Sequence, residues 1–368
     1  MKKITVLILI LTFMLMLASC GEDKYPPVES SALESQVVMT INFEEKKYDV
    51  KYELYRALFL NLRDSVDGGD ITVWSGENKS EYIEKIDTLI KKRATDIYSV
   101  LHIANKIGID VYSKDFDKSV SEYIKVSVEG GYYGNQIIEG FDGDYEKYLA
   151  SLKEMNLNYA VQDLLIRYSL ASEKVFEYYA GYEGEFLDEL VQGKLEYTKE
   201  DVHAFYTGED SIRVMRAYLP KAYFSATRAQ EIRDKIAEKA NYGDEEVSKY
   251  IIGTTATAAS EIINGEIIGR HNLDDAYYSE LEKAAFELSY FEVSEVVEVS
   301  STNEDGYIIL YKTVKTDAHF EECYDYVKSV YIQNEVGKII DTDALGMLEN
   351  ITATTLLTTL DRSQISMD

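Results

Sequence analysis

The sequence is poor in cysteine, proline and basic residues, and each shortage excludes a class of protein. Only two cysteines and three prolines occur in 368 residues. Two cysteines cannot build the disulfide framework of a small secreted domain, and so few prolines leave long helices uninterrupted. Lysine and arginine total 38 against 66 acidic residues, a net charge of −28. Because such a surface repels phosphate backbones and anionic headgroups, we expect no nucleic-acid partner and no polybasic grip on lipid.

The N-terminal segment has the composition of an export signal. It combines Lys2 and Lys3, an apolar run over residues 4–17, and the sequence Leu-Ala-Ser-Cys ending at Cys20. These features predict a secretory signal peptide over residues 1–19, since the run is shorter than the roughly 20 residues of a membrane-spanning helix. The last four residues resemble the bacterial lipobox, which implies a lipid on Cys20 and a location on the extracytoplasmic face of the bacterial cell membrane. An ordinary signal peptide and an uncleaved anchor helix are the alternatives.

Residues 20–36 follow as a predicted lipidated tether. They contain two adjacent prolines and a run rich in serine and glutamate, a composition that cannot bury a core. Residues 37–208 are predicted to form a helical domain. In it, residues 37–42 favour a short strand, Asp49 is a candidate helix N-cap, and apolar residues recur at helical spacing from residue 54 onward. Two long helices are predicted, an amphipathic one over residues 80–106 and another over residues 158–179, with shorter ones near 113–127 and 144–155 between them.

The pattern changes after Gly208. Thr198 and Asp201 have the spacing of a capping box, and Ser225 is predicted to cap a helix that runs to residue 240. Strands are predicted over residues 212–219, 295–299 and 307–314, so residues 209–316 form a compact α+β domain. Residues 317–368 are predicted to be a C-terminal helix, which packs on the N-terminal domain, followed by a tail. The apolar stripe of that helix is too broad to leave in water.

Three stretches resemble a known family. They are residues 277–288 (YYSELEKAAFEL), 292–297 (EVSEVV) and 305–310 (DGYIIL). These stretches are similar to the parvulin domains of PrsA/SurA-type extracytoplasmic foldases, and the layout of the chain after residue 20 is similar too. The resemblance implies an α+β fold. A helical SurA-like chaperone domain, built from the N-terminal helices and the C-terminal helix, would carry an inserted parvulin-like peptidyl-prolyl isomerase domain.

The sequence departs from that family at the residues that matter for catalysis. Parvulin-type isomerases carry a histidine in the first strand of the domain and another in the last. Here Arg216, or Tyr218 if the strand slips by two, and Ile308 stand at these positions. The methionine and phenylalanine of the proline pocket correspond to Tyr277 and Leu281. The resemblance therefore implies a degenerate site to which no catalytic residue is assigned. The candidate peptide-binding residues are Tyr218, Tyr277, Leu281 and Phe286.

The sequence gives little support for a metal site, a cofactor site or a nucleophilic cysteine. The four histidines are scattered and lack acidic or cysteine partners at metal-ligand spacing, so we expect no metal and no cofactor. Cys323 is predicted to be a small core residue. Tyrosine is abundant, at 31 residues, and offers apolar area with a polar end. The neighbouring tyrosines are predicted either to pack between helices or to form a peptide-binding cradle: Tyr132, Tyr133, Tyr178, Tyr179, Tyr277 and Tyr278.

Three functions remain open at this point. The first is a membrane-anchored extracytoplasmic chaperone or foldase, whose partners are unfolded or nascent secreted polypeptides. In this hypothesis an acidic rim favours basic or neutral clients. The second is a weakly active parvulin-type peptidyl-prolyl cis-trans isomerase. The third is a surface lipoprotein that binds one dedicated partner.

Overall fold

The computed structural model describes residues 24–134, 136–183, 190–255, 257–270, 280–300 and 305–367. The predicted signal peptide, Cys20 and Tyr277 therefore lie outside the described residues. The fold class is α+β, with many helices and small antiparallel sheets. No helix within the described ranges is both long and apolar enough to cross a membrane.

Helices and strands follow one another along the chain without a regular repeat. In the first half they are β1 (Val37–Phe43), β2 (Lys46–Lys51), α1 (Tyr52–Asp67), α2 (Lys79–Lys106), α3 (Lys114–Glu129), β3 (Gly131–Tyr133), β4 (Gln136–Ile138), α4 (Tyr145–Glu154) and α5 (Tyr159–Ala180). In the second half they are β5 (Gly181–Glu183), β6 (Leu190–Gln192), α6 (Lys199–Thr207), β7 (Ser211–Pro220), α7 (Ala226–Ala240), α8 (Asp244–Thr254), α9 (Ala259–Asn264), β8 (Glu266–Gly269), α10 (Glu280–Glu287), β9 (Val297–Ser300), β10 (Asp305–Thr313), α11 (Asp317–Glu322), α12 (Tyr324–Leu348), β11 (Ile351–Ala353) and α13 (Thr355–Thr359).

The chain divides into two compact units. Unit 1 holds the residues up to Ser172 and those from Gly346 to the end, and unit 2 is Glu173–Leu345. Unit 2 is thus inserted into the sequence of unit 1. Residues 173–208 and 317–345 lie in the same unit as the larger sheet.

Unit 1 combines a small sheet with long helices. The sheet has the order β11-β1-β2, so the C-terminal strand pairs with the first strand of the chain. The sequence pattern predicted that the residues before α1 lead into a helix that Asp49 caps. They form strand β2 instead, in which Asp49 pairs with Thr40 of β1. In the core, the ring of Trp74 meets Phe59 edge-on at 5.0 Å and its indole N–H donates to Asp67 (Nε1–Oδ2 2.7 Å).

Unit 2 is built on a four-stranded antiparallel sheet of order β8-β7-β10-β9. Alternate residues of β7 and β10 point to opposite faces. One face, with Met215, Leu219 and Ile309, packs on α7, α8 and α9; the other, with Val214 and Leu310, packs on α10. The sequence predicted β7 and β10 but missed β8. The capping box at Thr198 and the N-cap at Ser225 are confirmed.

Helix α11 and the part of α12 up to Leu345 belong to unit 2, whereas the last residues of α12, from Gly346, belong to unit 1. Phe320 of α11 and Val327 of α12 are buried in a cluster with Val202 and Tyr206 of α6 and Ile267 of β8. The predicted apolar stripe of this segment is therefore covered by α6 and by the sheet.

Candidate functional site

Strand pairing brings the predicted site residues of unit 2 onto one face of the sheet. Tyr218 lies directly opposite Ile308 in the pairing of β7 with β10, and Arg216 lies opposite Leu310. The even-numbered residues of both strands point toward α10, where Leu281 and Phe286 pack partly buried on the same cluster. Arg216, Tyr218 and Ile308 therefore lie on one face of the sheet, although residues 216 and 308 are 92 positions apart in the sequence. Tyr277 lies outside the described residues.

A cavity of about 540 Å³ opens beside Arg216 and Tyr218. Arg216 and Glu266 form a loose ion pair across it, with Nε and Oε2 3.9 Å apart. The remaining lining residues come from the segment around α9 and from α12: Thr257, Ser260, Glu261, Asn264, Gly265 and Tyr326. Most of the lining residues are therefore polar, and two of them are tyrosines.

Tyr218 is hydrogen-bonded both at its backbone N–H and at its hydroxyl. Its N–H donates to the Thr257 hydroxyl (3.0 Å), and its hydroxyl accepts from the Asp305 N–H (3.2 Å) while donating to the Asp305 carbonyl (3.3 Å). Gly306 permits this arrangement, since a Cβ there would lie 2.7 Å from Cε2 of the Tyr218 ring. The hydroxyl is thus committed to the loop before β10.

The cavity offers little for proton transfer or nucleophilic attack. Ile308, at the last-strand position, is fully buried and apolar, so it presents no polar group. Within the described ranges, no group of three or more His, Cys, Asp or Glu side chains is placed to hold a metal ion. Cys323 lies elsewhere in unit 2 and is half-buried, with Sγ 3.3 Å from His319 Nδ1. Burial raises the pKa of that thiol, which keeps it protonated and a poor nucleophile.

A second and larger cavity lies in unit 1. It is a groove of about 690 Å³ with four tyrosines in its walls: Tyr48, Tyr98, Tyr112 and Tyr159. They come from β2, α2, the loop before α3 and the start of α5, with Leu54, Val161 and Leu164 as apolar neighbours. We refer to it as the tyrosine groove. None of these tyrosines belongs to the set singled out in the sequence.

One wall of the tyrosine groove is the edge of a strand. Successive side chains of a strand point to opposite faces, so a cavity lined by consecutive residues borders the strand's edge and not a face. The four consecutive residues 46–49 of β2 all line the groove. In the described part of the chain, β2 pairs with β1 alone, so its other edge faces the groove.

Two phenols of the groove, Tyr98 and Tyr112, have raised pKa values and stay neutral. Burial raises the pKa of Tyr98, whose hydroxyl donates to the Asp49 carbonyl on β2 (3.0 Å). Desolvation of the phenol group raises the pKa of Tyr112, although the residue as a whole is 61% exposed. The Arg167 guanidinium, 5.2 Å from the ring, acts in the opposite direction. Arg167 is itself held by Asp163 (Nε–Oδ2 2.7 Å) and by a backbone carbonyl. The groove therefore combines aromatic surface with fixed polar groups.

The described tyrosines that the sequence suggested as a peptide-binding cradle lie outside the tyrosine groove. Tyr132 is exposed on the β3–β4 hairpin, while Tyr133 packs on Tyr123 of α3. Tyr178 and Tyr179 contact each other edge-on in α5. Tyr277 and Tyr278 lie outside the described residues. No pattern in the sequence could have located the tyrosine groove, because its four tyrosines come from four separate elements.

Comparisons with known proteins find only distantly similar structures. No protein-family model and no curated protein matches the chain. The foldase protein PrsA from Streptococcus pneumoniae matches at 14% identity over 79% of this chain and 87% of that one, with a TM-score of 0.26. PrsA from Bacillus subtilis matches at 15% identity over 86% and 93% (TM-score 0.23). The foldase PrsA from Lactococcus lactis matches at 13% identity over 90% and 100% (TM-score 0.23). TM-scores this low do not establish a shared fold.

Proposed function

We propose that this protein is an extracytoplasmic chaperone of the foldase type. It binds unfolded segments of secreted polypeptides in the tyrosine groove and is held at the outer face of the bacterial cell membrane by a lipid on Cys20. The observation that carries the proposal is a groove lined by four tyrosines and by the edge of β2 that pairs with no described strand, where the Asp49 carbonyl accepts from Tyr98.

The strand edge supports binding of many different clients. An extended polypeptide that adds to a sheet edge forms main-chain hydrogen bonds, which do not depend on the sequence of the added segment. Tyr112 and Tyr159 would contact the alternate side chains of such a segment with rings that have few rotamers to lose. A general backbone site with adaptable aromatic walls is what a chaperone of varied clients needs.

The charged side chains along this edge of β2 indicate which polypeptide segments the groove would favour. Lys46, Lys47 and Lys51 of β2 are exposed. Lysines on an open edge discourage pairing between copies of the same chain, because like charges would face each other. The exposed cations favour acidic segments, which is opposite to the preference expected from an acidic rim, but Lys47 and Lys51 also form ion pairs with Asp49 (3.0 Å) and Glu53 (3.7 Å) of the same groove. The net charge of −28 keeps the loaded protein soluble.

Strong prolyl isomerisation is not part of the proposal. Unit 2 has Arg216 in the wall of its cavity and a buried Ile308 on the neighbouring strand, at the two positions where the family that the sequence resembles carries histidines. It can contact a peptide through Tyr218 and Tyr326 but lacks a polar pair around a twisting proline bond. A weak isomerase and a lipoprotein with one dedicated partner remain the competing functions.

Suppression of aggregation tests the proposal. The protein is mixed with an unfolded, proline-free client, and light scattering is followed with and without Tyr112→Ala/Tyr159→Ala. We expect the native chain to suppress aggregation at near-equimolar ratio and the double variant to lose most of this effect. Tyr132→Ala is the matched control, since Tyr132 is 69% exposed in the same unit but does not line the groove.

The outcomes separate the three functions. Suppression of several unrelated clients, lost in the groove variant alone, supports the chaperone. Protection of proline-containing clients only would point to isomerisation. Failure with every client, although the chain is folded by circular dichroism, would overturn the proposal and favour a dedicated partner.

A further inference from the structure

A short hairpin in unit 1 presents apolar side chains to solvent. Strands β3 and β4 pair with Tyr132 directly opposite Ile137, and these two side chains are 69% and 71% exposed. A directly opposite pair lies on one face of a hairpin. On that face, therefore, an aromatic and a branched aliphatic side chain form one exposed patch.

The hairpin is firmly attached at its base. Tyr133 packs edge-on against Tyr123 of α3 with ring centroids 4.9 Å apart. Gly130 and Gly140 approach so closely that a Cβ on Gly140 would collide with the Gly130 backbone. Because the base is fixed in this way, the exposure of Tyr132 and Ile137 is a property of the fold.

Charge is missing from the hairpin although the chain is highly charged. Residues 131–138 (GYYGNQII) contain no Asp, Glu, Lys, Arg or His, whereas 28% of the whole chain is Asp, Glu, Lys or Arg. Charged side chains are costly at a membrane, and tyrosine is enriched at the boundary between lipid and water. The hairpin is thus a stretch of this acidic surface that can meet lipid without charge repulsion.

The tether is held next to this hairpin. Lys24 and Tyr25 both contact Glu129, one residue before Gly130: the Nζ–Oε1 distance is 2.6 Å and the Oη–Oε1 distance is 3.0 Å. The ring of Tyr25 packs 5.3 Å from that of Tyr145, whose hydroxyl donates to the Pro26 carbonyl (2.6 Å). The entry of the tether into unit 1 is therefore tied to the hairpin base.

Chain length then limits how far the hairpin can lie from the membrane. Cys20 precedes Lys24 by four residues, and four extended residues span at most about 14 Å. A lipid on Cys20 consequently holds Glu129, and the hairpin that begins two residues later, close to the bilayer surface.

We propose that the hairpin is a second membrane contact, in which Tyr132 and Ile137 enter the interface of the bilayer that holds the lipidated Cys20. The inference rests on the anchor in the proposed function. Two contacts fix the orientation of unit 1 on the membrane, which one flexible lipid attachment cannot do. The lipid it fits is a neutral, zwitterionic surface, because Glu129 and Glu139 flank the hairpin.

Tryptophan quenching tests the contact. The protein is purified with its own anchor, reconstituted in phosphatidylcholine vesicles and examined as Ile137→Trp, with quencher-bearing lipids added. The native Trp74 is buried and supplies the background. We expect blue-shifted emission and about twofold quenching of the added tryptophan, as for aromatic side chains at the interface. Ile71→Trp, at a position 62% exposed in the same unit, should remain unquenched.

Each outcome is decisive. The contact is supported if the protein is recovered with the vesicles and the tryptophan at residue 137, but not the one at residue 71, is quenched. Adding Tyr132→Ser to the Ile137→Trp variant should reduce this quenching. Recovery without quenching, or with equal quenching at residue 71, overturns the hairpin contact while the anchor stands. Failure to recover the protein with vesicles overturns the anchor, and the hairpin inference falls with it.

Discussion

Tyr55 and Arg362 are hydrogen-bonded in the interior of unit 1 although 307 positions separate them, with the guanidinium Nε donating to the phenol oxygen at 3.2 Å. Both also bond to Asp87, which accepts from Tyr55 at 2.6 Å and from Arg362 Nη2 at 2.8 Å. The Arg362 side chain is 5% exposed and that of Asp87 is 15% exposed. The C-terminal tail is therefore an integral part of the first unit.

Replacement of this arginine should destabilise unit 1. Arg362→Ala leaves the Asp87 carboxylate buried without its cation, and we expect a loss of about 3 to 5 kcal/mol in the free energy of unfolding. Denaturant titration followed by the fluorescence of Trp74, which is buried in the same unit, measures the change. Arg93→Ala is the control, since Arg93 is 64% exposed and its ion pair with Asp96 is 3.7 Å long. Equal midpoints for the two variants would contradict the tail's structural role.

A hydrogen-bonded carboxylate next to the tyrosine groove should make stability depend on pH. Burial opposes ionisation of Glu34, but hydrogen bonds from the Ser31 backbone and hydroxyl, together with Arg56, lower its pKa from 4.5 to about 2. The ionised form is therefore favoured by folding. Its contribution is fully present above pH 4.5 and is lost as the pH falls toward about 2.

Glu34→Gln checks this dependence. The amide keeps the shape but loses the charge, and we expect about 1 to 2 kcal/mol lower stability at pH 7. The difference between the variant and the native chain should shrink between pH 4.5 and about 2. Unfolding titrations over pH 2 to 7 measure it. A difference that stays constant across that range would show that the charge of Glu34 does not contribute.

Charge reversal on β2 should change client preference. Lys47→Glu/Lys51→Glu removes two exposed cations beside the groove, and we expect about fivefold weaker binding of an acidic extended peptide, or about 1 kcal/mol. A neutral peptide of the same length should bind as before. Fluorescence anisotropy measures both affinities, with Lys147→Glu, 70% exposed in the same unit, as control. Equal losses for both peptides would mean that charge does not select clients here.

Binding at the strand edge should also slow hydrogen exchange in β2. Amides that point toward the groove become hydrogen-bonded when a strand is added, so residues 46–51 are expected to gain protection on peptide binding. Exchange followed by mass spectrometry on peptides that cover residues 44–52 detects this. Protection confined to other segments would place the client elsewhere.

Prolyl isomerisation should proceed at the background rate. With Arg216 at the first-strand position and a buried Ile308 at the last, we expect short peptides to isomerise in tens of seconds or slower at room temperature. Arg216→Ala should leave this rate unchanged. A protease-coupled assay measures it. An acceleration that Arg216→Ala removes would reveal an isomerase of different chemistry.

The sequence by itself determined the elements whose signals are local. Apolar spacing predicted a helix over residues 80–106, and the structure has it at Lys79–Lys106. The side chains of Thr198 and Ser225 cap helices as their spacing indicated, because a cap bonds to a backbone amide three residues away. The strands at residues 37–42 and 212–219 were likewise evident from short apolar runs.

Only the tertiary structure decided the features that depend on distant partners. Residues 46–51 became a strand because β1 satisfies their backbone groups, and residues 351–353 joined the same sheet from the far end of the chain. The tyrosine groove and the network of Arg362 join elements that no periodicity connects. Helix spacing and caps act over a few residues, whereas strand pairing, cavities and buried ion pairs arise when the chain closes on itself, so a local pattern cannot specify them.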